Sequence, residues 1–140
     1  MKLAALSIIA AAAVACGGSA GPCPSTASFS PAPQLALASN SGVLNLAVST
    51  SPAPLARGVN ELRYDVTDST GKPVSGLNVA VTPWMPYMGH GSSVVPSVAE
   101  QSGGSYLVTC VDITMPGTWQ LRTTFSGPVS DDATPTFQVQ

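Results

Sequence analysis

Through much of the chain after residue 42, apolar and polar residues alternate with a period of two. That is the pattern of strands that bury one face and wet the other. Residues 43–48 place Leu44, Leu46 and Val48 on one side. Residues 60–66 are the clearest case, with Leu62, Tyr64 and Val66 inward and Glu61, Arg63 and Asp65 outward. Leu77, Val79 and Val81 mark a third strand, residues 105–113 a fourth, 118–125 a fifth and 136–139 a last one. Short pieces around Val74 and Val94-Val95 bring the count to about seven. The breaks carry turn chemistry: Ser51-Pro52-Ala53-Pro54 ends the first strand, and Asp68 to Pro73 contains Gly71, which takes a positive φ without penalty. Beyond the N-terminal segment no helical stripe occurs. The pattern predicts an all-β, immunoglobulin-like antiparallel β-sandwich of about seven strands over residues 42–140.

The N-terminal segment follows a different rule. Lys2 supplies a positive start, and residues 3–14 form an apolar run of small and aliphatic side chains, too short to cross a bilayer as a permanent span. The run ends in Ala13-Val14-Ala15-Cys16, which resembles the lipobox of bacterial lipoproteins. That resemblance implies cleavage before Cys16, lipidation of Cys16 and a stable anchor made by two or more acyl chains. Ordinary secretion after Ala15 or Ala20 is the alternative. Both take the protein out of the cytoplasm, and the lipobox resemblance implies the bacterial cell envelope, lipid-anchored on its periplasmic or extracellular face. Residues 1–15 are thus expected to be a signal peptide. Residues 16–41, dominated by Gly, Ala, Ser, Thr and Pro with Phe29 as their one aromatic, are expected to form a lipidated flexible tether.

Composition then narrows the function. Five basic and seven acidic residues give a formal charge of −2 over 140 residues, so nucleic acid is not an expected partner. Thirteen Gly and thirteen Pro suit a loop-rich β domain. One His and three Cys leave little material for catalysis. His90 with Ser92 or Ser93 and Asp112 has the residue types of a hydrolase triad, but no nucleophile-elbow sequence accompanies them. With Cys16 assigned to lipid, Cys23 and Cys110 remain, and an even pair in an oxidising compartment reads as one disulfide. Two free thiols on a metal are the rival reading. No enzyme is expected.

The chemistry that stands out is soft. Met85 and Met88 fall three apart in Pro83-Trp84-Met85-Pro86-Tyr87-Met88-Gly89-His90-Gly91, with the single His two residues later. Pro86 and Gly89 exclude a regular helix, so the segment is expected to be a loop leaving the third strand. Met115 is the remaining Met downstream of the signal segment. Thioethers are neutral, soft donors that select Cu(I), and imidazole accepts either copper oxidation state. Met85, Met88, His90 and Met115 are therefore candidate copper ligands. The same Met residues could instead fill core gaps beside Trp84. Trp84 and Trp119 are expected in the core, and Tyr87 on the loop is expected to face a partner.

From Asn60 onward the chain resembles the FixH/YtkA-like family of bacterial extracytoplasmic domains. The resemblance rests on Asn60, on Asp68-x-x-Gly71-x-Pro73-Val74-x-Gly76-Leu77, and on Met85-Pro86-x-Met88-Gly89-His90-Gly91 with Pro96. It continues through Gly104-x-Tyr106 and Met115-Pro116-Gly117-Thr118-Trp119. It implies an immunoglobulin-like sandwich and a non-catalytic role in copper handling or respiratory oxidase assembly, with a copper-donating or copper-receiving protein as partner. Two features depart from the pattern. FixH proteins usually carry a transmembrane segment where this chain has a lipobox, and Cys23 and Cys110 are local additions.

Overall fold

A computed structural model describes Cys23 and residues 25–140. Ten strands form two antiparallel sheets. In chain order they are β1 (Leu35–Ala38), β2 (Leu44–Ser51), β3 (Gly58–Asp68), β4 (Asn78–Met85) and β5 (His90–Gly91). They continue as β6 (Ser97–Glu100), β7 (Ser105–Ile113), β8 (Gly117–Ser126), β9 (Asp131–Ala133) and β10 (Thr136–Val139). One sheet has the order β1-β2-β3-β7-β6. The other has β10-β8-β4-β5, with β9 also on β8.

The expected inward residues make the core. Leu44, Leu46, Val48, Leu62, Tyr64, Val66, Tyr106, Val108, Val111 and Ile113 of the first sheet meet Val81, Met85, Trp119, Leu121 and Phe125 of the second. One polar link crosses it. The Tyr64 hydroxyl donates to Thr123 Oγ1 at 3.2 Å, while the Thr123 hydroxyl donates to Leu121 O. Burial drives the Tyr64 phenol far above its ordinary pKa, the Thr123 contact opposing it only in part, so it stays a neutral donor.

Strand direction gives the sandwich two ends. The upper end carries the β1–β2, β3–β4, β6–β7 and β8–β9 connections. The lower end carries the β2–β3 loop, the β4–β5 turn and the β7–β8 loop.

Three expectations need correction. The folded body starts before residue 42, because β1 pairs with β2 from Leu35↔Val48 to Ala38↔Asn45. The preceding residues lie along the outer face of the first sheet and do not hang free: Ser25 Oγ donates to Glu61 at 3.3 Å, the Arg63 guanidinium sits 5.3 Å from the Phe29 ring centroid, and Gln34 N donates to Val48 O. Glu61 and Ser49, on that outer face, are consequently buried. Val94-Val95 and Val74 lie in loops; the strand near the former is β6, two residues on. Trp84 belongs to the outer face of the second sheet, half-buried beneath Arg122 at 4.7 Å, whereas Trp119 is fully buried in the core.

The strap of residues 25–34 is preceded by a covalent tie. Cys23 is bonded to Cys110, with the Cα atoms 5.6 Å apart across 87 residues. Cys110 sits in a β-bulge, where the register slips between Asn60↔Val111 and Leu62↔Val108 and leaves Thr109 and Cys110 opposite Glu61. Its φ of 60° is the left-handed conformation that bulges often give to Gly.

Candidate metal centre

β4 does not stop at Pro83, as the surrounding prolines suggest. The Pro83 carbonyl accepts from Ser92 N at 3.4 Å, so the missing N–H of Pro83 faces the same outer edge, where β5 is only two residues long. Proline is tolerated on such an edge. The strand therefore runs on through Met85, whose carbonyl accepts from both Met88 N (3.2 Å) and Gly89 N (3.0 Å). Those two bonds wind residues 85–89 into a single helical turn, and positions three apart in such a turn lie on one side. Gly89, at φ 68°, ends it. The chain then returns with His90 directly opposite Met85. Residues paired across an antiparallel ladder project from the same face of the sheet. Register thus sets the two residues side by side, with Met85 buried and His90 exposed.

Met115 approaches from the β7–β8 loop. The Trp119 indole N–H donates to Met115 O at 2.9 Å and pins that loop. Gly117, at φ 130°, lies so close to the end of Met85 that an added Cβ would sit 2.8 Å from the Met85 terminal methyl. Gly91 has a matching role on the other side, where a Cβ would come within 2.2 Å of Pro83 O. The spacing of Gly91, Gly117 and Trp119 within the quoted motifs is the signal that ties them to the Met and His residues. The sequence alone gives Trp119 a place in the core and the two glycines no role.

The four candidate ligands differ in depth. Met85 is 4% exposed and joins the core, Met115 is half-buried against it, and Met88 (57%) and His90 are exposed. The expectation that Met85 is a loop residue is therefore corrected: it ends a strand and points inward. Tyr87, at the turn, is 87% exposed. An open cavity of about 510 Å³ at the same end is lined by Arg57, Gly58, Asp112, Ile113 and Thr114. Among the described residues no three His, Cys, Asp or Glu side chains cluster. The soft donors at this end are three thioethers and one imidazole, a set that fits a soft monovalent ion better than a hard or divalent one.

A second buried polar group governs the neighbouring loop. Asn60 accepts from Ala56 N and donates to Ala56 O and Gly58 O at 3.1, 2.7 and 2.8 Å, closing the β2–β3 loop.

A two-sheet β-sandwich with a Met- and His-bearing lower end is the class these features define. The chain belongs to the YtkA-like family, whose profile matches residues 38–124. That span contains every segment, from Asn60 to Trp119, on which the family resemblance rests. Among solved structures, the adhesin InvE of Yersinia pseudotuberculosis is similar, with a TM-score of 0.49 and 22% identity over 73% of this chain and 27% of the adhesin chain. This chain accordingly spans about a quarter of that protein. No curated protein matches it.

Proposed function

We propose that this protein is a non-catalytic, extracytoplasmic module that binds copper as Cu(I) at its lower end, through Met85, Met88, Met115 and His90, and exchanges it with a copper-donating or copper-receiving protein. The reading includes a lipid anchor at Cys16, a residue outside the described part of the structure. The observation that supports the copper site is the register pairing of Met85 with His90, with glycine at 117 leaving room for the Met85 methyl beside the Met115 loop. Thioethers need no deprotonation, so such a site binds Cu(I) without the thiol oxidation that cysteine ligands risk in an oxidising compartment.

The experiment is stoichiometric Cu(I) titration of the purified protein under mild reduction, beside the Met85→Leu/Met88→Leu variant. Leu nearly conserves volume, so the fold should lose no more than about 1–2 kcal/mol even with Met85 in the core. Cu(I) affinity should fall at least tenfold. Equal affinity in parent and variant makes these residues packing groups only. The exposure of Tyr87 and Met88 supports a second reading, in which the turn is a protein-docking element without metal; absence of Cu(I) binding by the parent would favour it.

A further inference from the structure

The strap changes how far this domain can stand from its anchor. Were residues 16–34 free, eighteen residues would separate Cys16 from Gln34, a reach of about 60 Å when fully extended. The Cys23–Cys110 bond shortens that to seven residues, or about 25 Å. The bond also decides which end of the sandwich is held down. Cys110 lies three residues before the end of β7, which leads straight into the loop carrying Met115. Cys23 lies beside Ser51, Pro52 and Val59 at the start and finish of the β2–β3 loop. Both mark the lower end. The upper end stands a further ~30 Å away, the length of strands of eight to eleven residues.

We propose that the latched strap holds the Met- and His-bearing end against the bilayer surface, and that the partner meeting Tyr87 and Met88 is a protein embedded in that same membrane. This rests on the lipid-anchor reading of Cys16 and extends the exchange role to a place and a kind of partner. A diffusing carrier gains nothing from so short a leash. A membrane-embedded one gains effective concentration, which falls roughly as the three-halves power of tether length. The lipid headgroups themselves are a poor match. Arg57 is the one Lys or Arg in the three lower loops, where headgroup binding draws on clusters of four or more. Tyr87 and Met88 supply the exposed aromatic and thioether contacts typical of a protein interface.

The test uses the full chain in living cells with a photo-reactive amino acid in place of Tyr87. Irradiation should yield a discrete adduct that resists alkaline extraction from membranes. Cys23→Ser/Cys110→Ser should lower its yield by up to about fourfold, the effect of lengthening the leash from seven to eighteen residues when the strap comes away as well. A twenty-residue Gly/Ser insertion after Gly18 keeps the disulfide and the fold, and should lower it about eightfold. Adducts to soluble proteins or to phospholipid, or yields independent of tether length, overturn the proposal. Incorporation of labelled palmitate into the parent, lost in Cys16→Ser, is scored in parallel. A parent without label fails the anchor reading and the proposal with it, whereas a labelled parent with tether-independent yields fails the proposal alone.

Discussion

The β4–β5 turn at the lower end is built differently from the loops of the upper end, although Asn60 and Trp119 fasten the other two lower loops with side-chain hydrogen bonds. At the upper end, side-chain hydrogen bonds fasten nearly every loop. Asp68 accepts from Thr70 N, Thr70 Oγ1 and Lys72 N within its own turn, and these bonds hold its carboxyl below the usual range. The Tyr106 hydroxyl donates to Val74 O and accepts from Leu77 N, clasping the β3–β4 connection. Glu100 accepts from Gly76 N. Asp131 accepts from Ser41. At the lower end the turn between β4 and β5 is closed by backbone alone, and its outer side chains, Tyr87, Met88 and His90, are exposed. The family motifs thus divide in two. Asp68, Gly71, Pro73, Gly104 and Tyr106 explain themselves as fasteners, whereas Met88 and His90 have no comparable structural task, which makes them candidates for function.

That contrast can be broken from the upper end first. Gly104 has φ 74°, and an added Cβ would sit 2.7 Å from Val66 O and 2.9 Å from Val74 N. Gly104→Ala should therefore cost about 3 kcal/mol or more in urea unfolding, while the folded fraction keeps its Cu(I) affinity. Loss of that affinity in the folded fraction would mean the ends are coupled. Tyr106→Phe removes one hydroxyl and strands Val74 O and Leu77 N. A loss of about 1–3 kcal/mol is expected, again with metal binding intact.

The lower end sharpens the comparison in the opposite sense. His90→Ala should leave unfolding within about 0.5 kcal/mol of the parent yet weaken Cu(II) more than Cu(I), read by competition titration of each oxidation state. A large stability change with no copper effect would move His90 to the fasteners. The smallest effect is at Asp131, whose carboxyl the Ser39 and Ser41 hydroxyls pull down to about 2. A depressed carboxyl contributes stability above its unfolded pKa and loses it as pH falls through the folded value. The contact between the β1–β2 turn and β9 should loosen between about pH 4 and pH 2, visible as NMR shifts of Ser41 and Asp132 amides. Asp131→Asn should abolish that titration and leave the lower end unchanged.

Much of this was readable in the residues. Strands β2, β3, β7 and β8 announce themselves because aliphatic and aromatic residues recur between polar ones, charged in β3, and Gly71 and Pro73 mark the turn after β3. β1 was hidden because Leu35-Ala36-Leu37-Ala38 sits in an uncharged run of Ser, Ala and Pro, a composition that reads as tether. Its order comes from pairing with β2, which no local pattern encodes. The strap was hidden for a related reason: it is held by Cys23, Ser25 and Phe29, three contacts to residues 34 to 87 positions away. Met85 was misplaced because Pro83 and Pro86 flank it, and only the geometry of the β4 edge shows why Pro83 does not end the strand. The soft donor set itself was legible as composition. Its gradation from buried Met85 to exposed Met88 was not, because depth depends on what β8 and the β7–β8 loop place behind the strand.

The margins of the two sheets carry one more consequence. The strands that end them are short: β1, β6 and β10 have four residues each and β5 has two. An open margin invites a neighbouring chain to add itself as an extra strand, the first step towards fibrils, and brevity is one of the ways natural sheets discourage it. Copies crowded side by side on a surface would meet most often margin to margin. Terminal strands of two to four residues give such stacking little to hold.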